Sequence, residues 1–223
     1  MRIRTTISTF LTVLLLTAVT VSASPKDWGL VTLADLPDYI VAGTPLKVTF
    51  FVRQNGRALR SGLHPQLRAT TESGLAAKVS AIAGPSPGEY TASLNLAQPG
   101  EWTLVIASGV GDSTLKLPIL KVIAPGSPVP VAFSPTTRGV RLFASKGCVS
   151  CHRHVEVNPE RAGDAQLDLS GKRFPQDELR KFLADPSRKA GDMPNLQLKT
   201  NEIEALIGFI DKLVYKTRGQ EEQ

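Results

Sequence analysis

The sequence has little sulfur and few imidazoles: its 223 residues include two cysteines, two methionines and three histidines. Both cysteines and two of the histidines lie in one octapeptide, GCVSCHRH, at residues 147–154. Residues 24–124 contain no cysteine, no methionine and one histidine, His64. Because copper sites favour soft sulfur ligands or several imidazoles, that stretch is not expected to bind a metal by itself. Any thiol or metal chemistry is therefore expected in the octapeptide.

A strong excess of charge of one sign is also absent. The chain has 26 Lys and Arg residues against 20 Asp and Glu residues, and loss of Arg2 and Arg4 with a leader would leave 24 against 20. No cluster of basic residues is interleaved with aromatic residues, so the sequence indicates no nucleic-acid partner. A weakly basic surface suits an acidic protein partner, through electrostatic steering more than through affinity.

The N-terminus carries an apolar run, at about residues 7–19, that is too short and too rich in hydroxyl groups for a membrane span. Arg2 and Arg4 precede the run, and the small residues of 21–23 follow it. This pattern predicts a secretory signal peptide over residues 1–23, with an uncleaved anchor as the alternative. No cysteine follows the run, which argues against a lipoprotein anchor. We therefore expect an exported protein, in the periplasm or on the extracytoplasmic face of the membrane.

Residues 24–124 show a period of two. The stretches LKVTFFV, EYTASLNL, WTLVIA and TLKLPIL alternate apolar with polar residues, as half-buried strands do. Turn signals separate them at Asn55-Gly56, Pro87-Gly88 and Pro99-Gly100. The pattern predicts an antiparallel β-sandwich. The apolar positions predicted to face its core are Leu46, Val48, Phe50, Val52, Tyr90, Ala92, Leu94, Leu96, Trp102, Leu104, Ile106, Leu115, Leu117 and Ile119.

The next segment, residues 125–134, is rich in proline and predicts an extended, semi-rigid linker. After it the period becomes helical, and Ser134 followed by Pro135 is a typical helix start. The stretches PQDELRKFLADP and NEIEALIGFIDKLV predict two further amphipathic helices. Three helices within residues 135–223 make a small core, which often needs a covalent or metal staple.

The octapeptide contains the pattern C-x-x-C-H, formed by Cys148, Cys151 and His152. This spacing is typical of covalent haem attachment, with two thioether bonds and the next imidazole as the proximal iron ligand. A thioredoxin-like dithiol would need a βαβ context, which the pattern does not predict. A zinc site would need a second pair of ligands, and only His154 and His64 remain. Both of these histidines are predicted to be exposed.

Residues 138–216 resemble a class I c-type cytochrome domain. The resemblance is carried by RGVRLFASKGCVSCH, LDLSGKRFPQDELRKFLADPS and MPNLQLKTNEIEALIGFIDKL. It implies an all-α monohaem cytochrome c domain over 135–223, one covalently bound haem c, and Met193 as the distal iron ligand. Met193 is also the single methionine left once residues 1–23 are removed. One position departs from the family: Leu167 stands where relatives have the proline whose carbonyl accepts the proximal imidazole N–H.

The preceding region has a second resemblance. The stretches GTPLKVTFFVRQNGRAL and PGEYTASLNLAQPGEWTLVI are similar to the exported immunoglobulin-like domains of the YtkA family. Some domains of that family are associated with copper proteins. The sequence therefore predicts two domains, an immunoglobulin-like antiparallel β-sandwich over 24–124 and an all-α cytochrome c domain over 135–223.

These expectations describe an exported carrier of single electrons, with the sandwich as a docking module. With both axial positions of the iron filled, no small-molecule substrate is expected and the protein is not expected to be an enzyme. Its partner would be a soluble redox protein or a membrane oxidoreductase. Two alternatives remain open: a haem-based sensor of a gas or of redox state, and an accessory protein in copper or oxidase assembly.

Overall fold

A computed structural model describes residues 27–158, 169, 174–188 and 193–218, with the side chains of the last segment described to Asp211. The predicted signal peptide and Leu167 lie outside the described residues. The strands are β1 (Gly29–Leu33), β2 (Tyr39–Val41), β3 (Pro45–Gln54), β4 (Ala58–Leu59), β5 (Gln66–Thr70), β6 (Ala76–Ser80), β7 (Ile82–Ala83), β8 (Glu89–Asn95), β9 (Gly100–Ala107), β10 (Thr114–Lys116) and β11 (Leu120–Ile123). The helices are α1 (Pro135–Ser145), α2 (Gln176–Ala184) and α3 (Thr200–Arg218).

The strands form two facing sheets. One has the order β1-β3-β8-β7 with β4 beside β3, and the other has the order β2-β11-β9-β5-β6 with β10 beside β9. All pairings but one are antiparallel among the described strands; β2 runs parallel to β11. Between β1 and β3 the chain crosses to the second sheet, where β2 pairs with the last strand, β11. The two-sheet arrangement confirms the immunoglobulin-like sandwich.

Alternation along the strands fills the space between the sheets. The predicted inward residues are buried from Leu46 to Leu117, with Phe50, Leu96, Leu104 and Ile106 completely covered. Ile119 is the exception, since 43% of its surface is exposed. Pro118 interrupts the ladder after β10, so the alternation does not continue to Ile119. The predicted turn at Asn55-Gly56 is confirmed, with φ of 51° and 71°.

Helix α1 begins as predicted. The Ser134 side chain accepts a hydrogen bond from the Thr137 N–H at 3.2 Å, and Pro135 occupies the first turn. Helix α1 crosses α3 at Gly139, where a Cβ atom would meet the Ala205 carbonyl oxygen. The close crossing buries an apolar cluster of Phe143, Leu183, Ile203, Leu206, Ile207, Phe209 and Ile210. No helix in the described part of the chain is both long and apolar enough to span a bilayer.

The helices lie against the sandwich. Arg138 forms an ion pair with Asp38 at 3.0 Å, and Arg141 donates to the Ile119 carbonyl at 2.8 Å. Val149 packs against both the sandwich core and the helical cluster. One face of β1 packs against the second sheet, and the helical segment covers its other face. All five residues of β1 are therefore buried.

The prediction of an all-α cytochrome c domain as the second half of the fold is wrong. The described residues form a β-rich fold of two sheets with three short helices, and α2 has only nine residues. The physical reason is that the helical spacing of apolar residues predicts three amphipathic helices but does not specify which surface their apolar faces pack against. Here some of the apolar and basic side chains of the helical segment pack against the sandwich or bond to it.

Candidate functional site

The octapeptide forms a tight turn after α1. Gly147, at φ 79° and ψ 11°, ends the helix in the left-handed conformation, and residues Cys148–Ser150 follow as one turn of 3-10 helix. The Cys148 carbonyl accepts the N–H groups of Cys151 at 3.1 Å and His152 at 2.7 Å. The turn therefore holds the two thiols and the imidazole on one short, hydrogen-bonded segment.

Gly147 also sets how closely this turn approaches the sandwich. A Cβ atom at this position would meet the Val31 carbonyl oxygen and would lie 2.8 Å from Leu30 Cδ1. Both the left-handed backbone and the close contact require glycine here. The stretch RGVRLFASKGCVSCH, which carries the cytochrome resemblance, includes Gly147 but gave no sign of this role.

Asn158 fastens the segment from the other side. Its Nδ2 donates to the His152 carbonyl at 2.8 Å and to the Val149 carbonyl at 3.2 Å, and its Oδ1 accepts the His154 N–H at 2.7 Å. One amide thus connects three positions of the turn. Sequence reasoning missed Asn158, because an asparagine in a loop has no periodic signal that separates this role from a solvated side chain.

His154 is completely buried, so the prediction that it is exposed is wrong. Its ring lies 4.2 Å from the Phe209 ring and 5.4 Å from the Phe143 ring, between centroids. Its Nδ1 accepts the Glu156 N–H at 3.2 Å. His154 therefore packs at the crossing of α1 and α3, while His64 is exposed as predicted.

An apolar cavity of about 290 Å³ lies beside the turn. Cys148 and His152 line it, and Met193 lines it from the loop before α3. Its remaining walls are the apolar side chains of Phe143, Leu169, Phe174, Pro175, Leu179, Phe182, Leu183, Leu206 and Ile210, together with Glu178. The structure thus brings three of the four predicted site residues to one cavity, although 41 positions separate His152 from Met193.

Cys151 is the exception, since it lines a different space. A groove of about 940 Å³ runs between the helical segment and the sandwich. Cys151 and Ser150 form part of its wall, opposite Trp28 and the residues of β10. Cys148 therefore lines the apolar cavity and Cys151 lines the groove, although both belong to the same turn. The two cysteines are not joined by a disulfide.

The Cys148 thiol lies in surroundings that disfavour its thiolate form. Burial raises the pKa of the Cys148 thiol to about 12, with a smaller contribution from Cys151. A reactive dithiol needs the opposite shift, because the thiolate is the nucleophile. Within the described residues no group of three or more His, Cys, Asp and Glu side chains could hold a metal ion. A zinc centre, which needs four such ligands, has no support in this part of the chain.

The loop that carries Met193 is held at several points. Arg53 of β3 donates to the Asn195 carbonyl at 3.2 Å, and the Asn195 side chain accepts the Gln197 N–H at 2.8 Å. The Glu202 carboxylate accepts the Lys199 N–H at 2.9 Å and so caps the start of α3. Met193 itself packs against the helical apolar cluster. The loop position is therefore set by both the sandwich and α3.

No protein-family model matches the chain, and no curated protein matches it either. Among solved structures, the chain is similar to a Lin-41 filamin domain, with 13% identity over 41% of this chain and 90% of that one and a TM-score of 0.32. A superoxide reductase (neelaredoxin) from Ignicoccus hospitalis has 16% identity over 41% and 78%, with a TM-score of 0.29. Domains 4 and 5 of the S-layer protein SbsC have 14% identity over 42% and 51%, with a TM-score of 0.28.

Membership of the class I c-type cytochrome family, which the helical motifs predicted, is therefore wrong, and membership of the YtkA family is not upheld. The overturning findings are the lack of a matching family model, the β-rich fold and the lack of a multi-ligand metal group in the described residues. The coarser statement, an immunoglobulin-like sandwich, stands on the strands themselves. Short motifs specify local chemistry and can occur on unrelated folds, which is why they did not decide the family.

Proposed function

We propose that this chain binds one haem covalently through Cys148 and Cys151, with His152 as the proximal iron ligand and Met193 as the distal one. The single observation that carries the proposal is the cavity shared by Cys148, His152 and Met193. A thiol, an imidazole and a thioether that come together from two distant segments are three of the four groups that such a haem requires, and Cys151 lies on the same turn. The C-x-x-C-H spacing supports the same cofactor independently.

The walls of the cavity suit a porphyrin. Apart from Glu178 and the donor residues, they are aromatic or aliphatic, with Phe143 and Leu206 almost completely buried beneath. Apolar walls limit the access of water to a bound macrocycle and so influence its reduction potential. The hydrogen bond from Asn158 to the His152 carbonyl fixes the backbone from which the proposed proximal imidazole projects.

A bound haem would supply one-electron redox chemistry at its iron. His152 and Met193 would both hold the iron and would leave it no position for a substrate, so we propose a carrier of single electrons and no enzymatic activity. The predicted signal peptide supports a site of action outside the cytoplasm. The mild positive charge of the chain supports an acidic redox protein as partner, either soluble or part of a membrane oxidoreductase.

The test is haem attachment in the exported protein. The full chain is produced in a host that attaches haem to exported proteins, then analysed by mass spectrometry, acid-acetone extraction and a pyridine haemochrome spectrum. We expect one haem per chain that resists extraction and leaves no titratable thiol. Cys148→Ala and Cys151→Ala should each lose one thioether bond, whereas Ser150→Ala, in the same turn, should retain both. Complete extraction of the haem from the parent would overturn the proposal.

A further inference from the structure

Two neighbouring strands of the sandwich contact both halves of the candidate site. Leu30 of β1 and Arg53 of β3 are direct cross-strand partners. Leu30 lies against Gly147, next to Cys148, while Arg53 contacts the loop of Met193. This pair of neighbouring residues therefore contacts both the turn that carries His152 and the loop that carries Met193.

The contact with the cysteine turn is close and directional. Gly147 packs its backbone on the Val31 carbonyl, and the Lys146 ammonium donates to the Ala34 carbonyl at 2.9 Å. Both acceptors belong to β1 or to the residue that follows it. Because α1 ends at these residues, the height of the Cys148 turn above the sheet depends on β1.

The contact with the methionine loop depends on Arg53. Its guanidinium donates through Nη2 to the Asn195 carbonyl at 3.2 Å, two residues beyond Met193. The side chain is more than nine-tenths buried, and its Nη1 has no hydrogen-bond partner among the described residues. Burial of this cation costs free energy, and the hydrogen bond to the Asn195 carbonyl offsets part of that cost. The same hydrogen bond fixes the position of the Met193 loop relative to β3.

We propose that the sandwich positions the two iron ligands relative to each other, and that Arg53 is the positioning residue for Met193. This inference rests on the proposed haem function. It assigns the sandwich a role inside the site, in addition to any docking role, because β1 contacts the Cys148 turn and β3 contacts the Met193 loop. Without the bond from Arg53, the Met193 loop would leave the iron more readily.

The experiment compares Arg53→Met, Arg53→Lys and the parent in the full-length, haem-loaded protein. Arg68→Met, at an exposed position on β5, is the matched control. Three quantities are measured: the rate of carbon monoxide binding to the ferrous protein, the thermal loss of the sulfur-to-iron charge-transfer band in the ferric protein, and hydrogen exchange of residues 193–199. The first two report on ligation, and the third reports on the loop.

Loss of one charge-assisted hydrogen bond predicts a roughly tenfold faster carbon monoxide reaction for Arg53→Met. We also expect loss of the band at a lower temperature, faster exchange of 193–199, and an unchanged haem content. Arg53→Lys should fall between this variant and the parent, and Arg68→Met should match the parent. If the Arg53 variants match the parent in all three quantities, Arg53 does not position Met193, although the haem proposal survives. A parent without haem would overturn both proposals together.

Discussion

The Nζ atom of Lys146 lies 2.8 Å from a carboxylate oxygen of Glu202, and both side chains are more than nine-tenths buried. Lys146 also donates to the Ala34 carbonyl, and Glu202 also accepts the Lys199 N–H. The pair therefore connects the end of α1, the start of α3 and the sandwich at one point. Burying either charge alone would cost much free energy, and the opposite charge of its partner offsets that cost.

Lys146→Met should destabilise the protein by about 3–5 kcal/mol, because it leaves the Glu202 carboxylate buried without its partner. Lys181→Met is the control, since the Lys181–Glu178 pair is 3.3 Å long with side chains that are 60% and 52% exposed. Removal of such a surface pair should cost less than about 1 kcal/mol. Urea unfolding followed by circular dichroism measures both values, and equal losses would contradict the role given to the buried pair.

Gly147→Ala should be more harmful than Gly43→Ala, although both glycines have φ of 79°. At Gly43 a Cβ atom has no neighbour within 4 Å in the described part of the chain, so the expected cost is that of the left-handed backbone, about 1–2 kcal/mol. At Gly147 the Cβ atom also meets the Val31 carbonyl, which should add about 1–3 kcal/mol of steric strain. The free energies of unfolding of the two variants give the comparison directly. Equal values would show that the turn does not press on the sandwich.

Gly139→Ala and Gly208→Ala should have opposite signs, although both lie within helices. Gly208 is exposed on α3, and no described residue lies within 4 Å of a Cβ atom there, so alanine should stabilise the protein by about 0.5–1 kcal/mol. At Gly139 the Cβ atom would lie 2.5 Å from Phe209 Cβ, so alanine should destabilise by about 1–3 kcal/mol. Thermal unfolding distinguishes the two, and a stabilising Gly139→Ala would exclude the close crossing of α1 and α3.

Met193→Ala in the haem-loaded protein should abolish the sulfur-to-iron charge-transfer band, lower the reduction potential and open the iron to carbon monoxide. The physical reason is that a thioether favours ferrous over ferric iron. Met193→Leu keeps the apolar side chain without the sulfur, so it should show the same three changes with less loss of packing. Visible spectra and a redox titration provide the measurement. A band and potential identical to those of the parent would show that Met193 is not the ligand.

The segment 125–134 should be the first site of limited proteolysis. Val129 is 68% exposed and Val131 is 94% exposed, so the chain there is accessible to a protease that cleaves after small apolar residues. After cleavage we expect the two fragments to stay together, held by contacts such as Arg138–Asp38 and Arg53–Asn195. Gel filtration of the nicked protein checks this, and separation of the fragments without denaturant would contradict the interface.

Several features could be predicted from the sequence because their causes are local. The alternation from Leu46 to Val52 determined a strand with one buried face, and Ser134 with Pro135 determined where α1 begins. The spacing of Cys148, Cys151 and His152 is the local signal behind the haem proposal. Each of these signals is set by residues two to four positions apart, which is the range over which a helix or strand repeats.

Only the tertiary structure decided what the helices pack on. Arg53 and Asn195 are 142 positions apart, and no pattern in either neighbourhood indicates that they meet. The burial of His154 between Phe143 and Phe209 was equally hidden, because it depends on the angle at which α1 and α3 cross. An amphipathic helix specifies an apolar face but not its partner, so the choice between a self-contained helical core and the face of β1 depends on the whole fold.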